Sequence, residues 1–215
     1  MTTTVKKLTI FLSVTLSVLA ILTIVVGCQQ QSTSEATSHY NIGVSLYKEG
    51  KYEQAIMEFD KAIEIDPNSA DTYSGRGTVY NAIREWDKAI ADFDKAIELN
   101  PNHAGTYNNR GNAYIAKGEY EKAIADYNMA IELKNTGAYY NRGHAYLLTG
   151  EWDKAIADFD KAIELNPNHA DAYNDRGIAF SSKREYGKAI LDYSKAIELD
   201  PNRPQTYFKR GQLYY

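Results

Sequence analysis

Shifted along itself by 34 residues, the chain falls back onto its own pattern. Gly43, Gly77 and Gly111 stand 34 apart, Gly143 comes two residues early, and Gly177 and Gly211 then resume the spacing. A period of this length means stacked copies of one small supersecondary unit, each burying its apolar face against its neighbours. The clearest copy is Ala70–His103, ADTYSGRGTVYNAIREWDKAIADFDKAIELNPNH. With Ala70 as position 1, large residues fall at positions 4, 11, 17 and 24 (Tyr73, Tyr80, Trp86, Phe93). Small ones fall at 8, 20 and 27 (Gly77, Ala89, Ala96), and Pro101 closes the unit at 32. A glycine in mid-helix costs roughly 1 kcal/mol relative to alanine, so one at position 8 of every copy needs a compensating close contact. The small residue at position 20 is the expected partner, with the aromatics filling the space beside it.

These eight recurring sites resemble the tetratricopeptide repeat, and the resemblance covers Ala36 to Tyr215. It implies an all-α fold: a right-handed superhelical solenoid of helix-turn-helix repeats, preceded here by an N-terminal signal or anchor helix. The repeats are expected at 36–69, 70–103, 104–135, 136–169 and 170–203, with a partial repeat or capping helix at 204–215. Repeat three is two residues short because Glu132–Gly137 lacks the Asn-Pro-Asn-His turn found after repeats two and four.

Upstream, Lys6 and Lys7 precede an uncharged run from Leu8 to Val26 and then Val25-Val26-Gly27-Cys28. A basic start, an apolar run and a small residue before the junction form a secretory signal. The last four residues resemble the bacterial lipobox, with Val25 where leucine is commonest, which implies a signal peptide over 1–27 and lipid attachment at Cys28. An uncleaved membrane helix is the alternative, since about 19 apolar residues nearly suffice to span a bilayer. Both readings tether the repeats to a membrane in the bacterial cell envelope, facing away from the cytoplasm. Gln29 after the cysteine favours the outer membrane in a Gram-negative host. Residues 28–35 read as the lipidated cysteine and a polar linker reaching roughly 25 Å.

Charge recurs as regularly as the aromatics. Arg76, Arg110, Arg142, Arg176 and Arg210 share position 7, where repeat one has Ile42, and Glu58, Asp92, Asp126, Asp158 and Asp192 share position 23. Pairing each acid with the arginine of the next repeat gives every one a partner, so a ladder from Glu58–Arg76 to Asp192–Arg210 is expected. Asn68, Asn102, Asn168 and Asn202 follow the prolines as expected N-caps, with Asp71 and Asp171 in capping-box position. Gly50, Gly118 and Gly150 end first helices where a left-handed residue is wanted, while Arg84 and Arg184 stand at that site in repeats two and five, so those turns should be more strained or differently capped.

Several functions are set aside by composition. The formal charge is −4, and removing Lys6 and Lys7 leaves 22 basic against 28 acidic residues, so no basic stripe is available for nucleic acid. One cysteine excludes an internal disulfide. The four histidines have no neighbours at metal-ligand spacing, and no nucleophile elbow or phosphate loop is present. No enzyme activity, cofactor, metal or small-molecule substrate is therefore expected.

The resemblance implies a concave groove lined by first helices, with positions 2, 5, 9, 12 and 13 facing a ligand. Of 18 tyrosines, all but Tyr40, Tyr47, Tyr140 and Tyr215 occupy the aromatic scaffold positions, and those four fall at position 5 or 12. Tyr40, Tyr47, Asn108, Asn112, Tyr140, His144, Leu147 and Asn174 are the candidate groove residues, with Ile115 alongside. Tyrosine offers rigid area and a hydroxyl, and amides can pair with an extended backbone. Asp171 and Asp175 stand where related chaperone-binding repeats carry cations, so acidic tails are not expected ligands. The function expected is a membrane-tethered scaffold binding another protein or an extended peptide. An envelope assembly factor, like pilotins or the accessory lipoproteins of outer-membrane assembly, is the alternative.

Overall fold

A computed structural model describes residues 33–214. The signal segment 1–27, Cys28, the linker as far as residue 32 and Tyr215 lie outside the described residues. Within them there are eleven helices and no strand. First helices are α1 (33–48), α3 (Ala70–Ala82), α5 (Ala104–Lys117), α7 (Ala138–Thr149), α9 (Ala170–Ser182) and α11 (Pro204–Gln212). They alternate with second helices α2 (Tyr52–Ile65), α4 (Trp86–Leu99), α6 (Tyr120–Glu132), α8 (Trp152–Leu165) and α10 (Tyr186–Leu199). No described helix is long and apolar enough to cross a membrane.

The linker reading needs correcting at its C-terminal end. Residues 33–35 are already helical, and Thr37 Oγ1 donates back to the Thr33 carbonyl at 2.8 Å. Neither proline nor glycine separates this polar run from the buried Ala36, so the helix extends upstream of the repeat.

The chain divides into two compact units, Met1–Val79 and Tyr80–Tyr215. In the first, Phe59 of α2 is 1% exposed and sits among Ala55, Val79, Tyr40 and Val44. A Cβ added at Gly43 would come within 3.0 Å of its ring, and one at Gly75 within 2.9 Å. In the second unit consecutive helices pack pairwise from α4 to α11, and successive first helices also meet, α5 with α7 and α7 with α9. Its core repeats one theme: Ala89 with Phe93, Ala123 with Tyr127, Ala155 with Phe159, Ala189 with Tyr193, all essentially buried.

The glycine at position 8 is thus explained, though its partner differs from the one expected. An added Cβ at Gly111, Gly143 or Gly177 would meet the ring of Tyr127, Phe159 or Tyr193 at 2.6, 2.9 or 2.8 Å. The position-24 aromatic, one helix turn beyond the position-20 alanine, occupies the space a Cβ would take at position 8. Beside Gly211 nothing lies within 4 Å.

Helix ends follow the expected logic with one shift. Gly50, Gly118 and Gly150 take φ of +75°, +76° and +79°, and Arg84 and Arg184 are forced into the same left-handed region at +64° and +62°. Lys134 joins them at +68°, closing the shortened connection after repeat three. The N-caps are not the asparagines. Position 31 supplies a side chain, from Asp66, Asn100, Asn166 or Asp200, that accepts the amide of Asn68, Asn102, Asn168 or Asn202 and so builds the turn. Capping passes one residue on: Ser69 Oγ accepts from Thr72 N at 3.3 Å, His103 Nδ1 from Thr106 N at 3.2 Å and His169 Nδ1 from Ala172 N at 3.3 Å. Asp71 and Asp171 therefore miss the capping-box register.

The ion-pair ladder also runs differently. Arg110 grips Asp126 of its own repeat with two parallel bonds of 2.8 and 2.7 Å, Arg142 grips Asp158 at 2.7 and 2.7 Å, and Arg176 grips Asp192 at 2.8 and 2.7 Å. The remaining guanidinium nitrogen reaches position 25 of the preceding repeat: Asp94 at 2.6 Å for Arg110, Asn128 at 2.6 Å for Arg142, and Asp160 for Arg176. Positions 7 and 23 face each other inside one helical hairpin, where the planar fork matches the carboxylate. Glu58 and Arg210, which within-repeat pairing would leave without an ionic partner, are engaged otherwise. Glu58 bonds His39 at 2.6 Å and Lys61 at 2.7 Å, and Arg210 donates to Ser194 Oγ at 3.0 Å.

Candidate functional site

In the second unit, the first-helix face opens into a pocket of about 300 Å³ between α5 and α7. It is lined by Asn112 and Ile115 from α5, Tyr140, Asn141 and His144 from α7, and Tyr127 from α6. Asn112, Tyr140 and His144, expected at the groove from sequence, come together here with Ile115. Asn108 stands beside them and accepts a 2.8 Å bond from Asn141 Nδ2. The floor is polar because Tyr127, though its ring is 1% exposed and packs on Gly111, sends its hydroxyl to Asn112 Oδ1 at 2.8 Å.

One wall is fixed by a buried acid. Asp175 of α9, 8% exposed, accepts from the Tyr140 hydroxyl at 3.0 Å, from Asn174 Nδ2 at 2.8 Å, and lies 3.3 Å from His144 Nδ1. Burial works against its charge, but the bonds from His144, Asn174 and Tyr140 outweigh burial and hold its carboxyl below the usual range. Burial first, then the charge of Asp175, pushes the Tyr140 hydroxyl far above the usual tyrosine range, so it remains a donor. The Tyr140 ring is clamped by His169 at 4.6 Å between centroids and Phe159 at 5.9 Å.

Not every candidate is free to meet a ligand. Tyr140 spends its hydroxyl on Asp175, so it shapes the wall and offers a ring. Asn174 donates to Asp175 and accepts from Thr206 Oγ1 at 3.0 Å, making it a strut between α9 and α11. Leu147 is partly buried against the Ala155–Phe159 core. Of the two acids set against an acidic ligand, Asp171 is engaged by Arg203 at 2.7 Å, and Asp175 keeps its negative charge at the wall.

Tyr40 and Tyr47 belong to the first unit. Tyr40 packs on Phe59 at 5.8 Å and lines a pocket of about 210 Å³ with Thr37, Asn41, Asp66, Ser69 and Asp71. Tyr47 packs on Tyr52 at 5.9 Å. Among the described residues no group of three or more His, Cys, Asp or Glu is placed to hold a metal ion.

Comparison with known proteins agrees with this architecture. The Tetratricopeptide repeat family model matches residues 70–103, 104–136 and 137–169, a second one matches 159–190, and a TPR repeat model matches 43–83 and 181–215. A crystal structure of MamA is 30% identical over 76% of this chain and 97% of its own, with a TM-score of 0.69. The chain belongs to the tetratricopeptide repeat family. Two further structures share the fold at lower identity. YrrB, described as a TPR protein with an unusual peptide-binding site, is 24% identical over 86% of this chain and 97% of its own, with a TM-score of 0.71. PilF of Pseudomonas aeruginosa is 21% identical over 85% of this chain and 88% of its own, with a TM-score of 0.75. No curated protein sequence matches.

Sequence reasoning assigned Tyr127 to packing and missed its hydroxyl. The signal was available: position 24 is Phe in repeats one, two and four but Tyr in repeat three, where position 9 is Asn112. Asp175 was seen as a charge, but its role in holding Tyr140 and His144 needed coordinates.

Proposed function

We propose that this protein is a membrane-tethered interaction scaffold that holds an extended segment of another protein along its first helices. The α5–α7 pocket carries the reading: two amides and an imidazole share its lining with the Ile115 side chain and the Tyr140 ring, over a floor where the Tyr127 hydroxyl holds Asn112. A mixture of apolar wall and few placed polar groups fixes the orientation of a bound group and gives specificity. The repeat fold supports the class, as does the peptide-binding site described for YrrB.

Tethering rests on Lys6-Lys7, the Leu8–Val26 run and the Val25–Cys28 tetrapeptide. On this reading residues 1–27 are removed, Cys28 is diacylated, and the repeats face away from the cytoplasm in a bacterial envelope, at the outer membrane if the host is Gram-negative. Labelling with a palmitate analogue in the native host tests the anchor, since Cys28→Ser should abolish it and unchanged labelling would reject it. For the groove, a photo-crosslinking residue at Ile115 should trap a discrete protein, whereas one at the exposed Lys122 of α6 should not. Equal crosslinking from both sites would sink the groove reading. Recovery of a single outer-membrane ring protein would narrow the scaffold to an assembly factor.

A further inference from the structure

Three polar atoms on residues that line the α5–α7 pocket have no hydrogen bond to another described residue: Asn112 Nδ2, Asn141 Oδ1 and His144 Nε2. Each is left over because the other end of its side chain is taken. Asn112 Oδ1 accepts from Tyr127, Asn141 Nδ2 donates to Asn108, and His144 Nδ1 faces Asp175 Oδ2.

The third of these contacts decides the chemistry. Asp175 already accepts from Tyr140 and Asn174, and an ionised carboxylate only accepts, so His144 Nδ1 must carry the proton. In a neutral imidazole the other nitrogen is then a lone-pair acceptor. With the imidazole neutral, the pocket presents one N–H donor and two acceptors, with the negative charge of Asp175 behind one of them. A primary carboxamide is the complement: its two N–H groups satisfy Asn141 Oδ1 and His144 Nε2, and its carbonyl accepts from Asn112 Nδ2. A carboxylate would set its lone pairs against both acceptors and against Asp175. An ammonium would leave Asn112 Nδ2 unpaired beside Ile115.

We propose that this pocket recognises the carboxamide side chain of a Gln or Asn residue, and that Asp175 is a positioning residue that fixes the tautomer of His144. The inference rests on the peptide-groove reading above and names what that groove selects. Buried hydrogen-bonding sites discriminate strongly against analogues that leave a group unpaired.

The test uses the full chain in detergent micelles at pH 8. Long-range proton–nitrogen correlation of the His144 ring should show the Nδ1–H tautomer, and the Nε2–H tautomer would overturn the assignment. Titration with the peptides acetyl-Ala-Gln-Ala-N-methylamide, acetyl-Ala-Glu-Ala-N-methylamide and acetyl-Ala-Lys-Ala-N-methylamide, whose blocked ends carry no primary carboxamide, followed at the Asn112 and Asn141 side-chain amides, should show Gln at least about tenfold tighter than the other two. Asp175→Asn, close in shape, should release the tautomer and reduce that preference to under about threefold. Equal affinity for Gln and Glu, or tighter binding of Lys, would overturn the carboxamide assignment while leaving the groove in place. If no peptide shifts either amide, the groove reading falls and this inference with it.

Discussion

Replacing Gly111 with alanine sets two effects of opposite sign against each other. Alanine in mid-helix is favoured over glycine by roughly 1 kcal/mol. At Gly111, however, the new methyl would lie 2.6 Å from Tyr127 Cε1, closer than real Cβ contacts come. The ring cannot swing away, because Tyr127 is 1% exposed and its hydroxyl is tied to Asn112 at 2.8 Å. Overpacking of this kind costs about 1–3 kcal/mol, and loosening the hydroxyl bond adds about 0.5–1.5 kcal/mol. Set against the helix-propensity gain, Gly111→Ala should destabilise by about 1–3 kcal/mol. Gly211→Ala is the control: nothing lies within 4 Å of its added Cβ, and near the C-terminal end of α11 the propensity gain is only part of the mid-helix value, so the change should stabilise by under about 1 kcal/mol. Urea unfolding of both variants, followed by far-ultraviolet circular dichroism, reads the difference. Equal stabilisation by both substitutions would refute the claim that the position-24 ring selects glycine at position 8.

Arg142→Ala removes the two-bonded partner of Asp158, which is 5% exposed, and should cost about 3 kcal/mol or more in the same unfolding assay. Arg210→Ala loses a bond to Ser194 Oγ and a guanidinium stacked over the Tyr207 ring at 5.7 Å, and should cost under about 2.5 kcal/mol. Arg184→Gly relieves a left-handed backbone at φ +62° on an exposed residue and should raise stability by about 1 kcal/mol; a loss would show that the arginine side chain matters more than its backbone. The carboxyl of Asp175 is held below its ordinary value, so its stabilising contribution is complete above about pH 4 and is lost as pH falls through the lowered value. Asp175→Asn should therefore flatten stability against pH in that acid window, and an unchanged acid limb would contradict the assignment.

Much of the architecture was legible because each repeat position reports one local requirement. The aromatics at 4, 11, 17 and 24, the glycine at 8 and the left-handed residue at 15 recur where helical period and turn geometry demand them. Spacing alone does not say which of two equally distant partners a side chain meets. Arg110 could face Asp92 or Asp126 by counting, and only the hairpin geometry brings position 7 against position 23 of the same repeat. The asparagines after the prolines looked like caps because their chemistry suits one, yet the position-31 side chain consumes their amides and moves the cap to His103 and His169. At the pocket, position numbers placed Asn112, Tyr140 and His144 together. They could not show that Tyr140 is turned toward Asp175, since that contact joins residues 35 apart through the packing of α7 on α9.

Binding by the α5–α7 pocket is most directly tested with the partner trapped from Ile115. Its affinity for the full chain should fall at least about tenfold when Asn112 and Asn141 are both changed to alanine, with the helical signal unchanged. Unaltered affinity in that double variant would contradict the account and move the binding surface elsewhere on the protein.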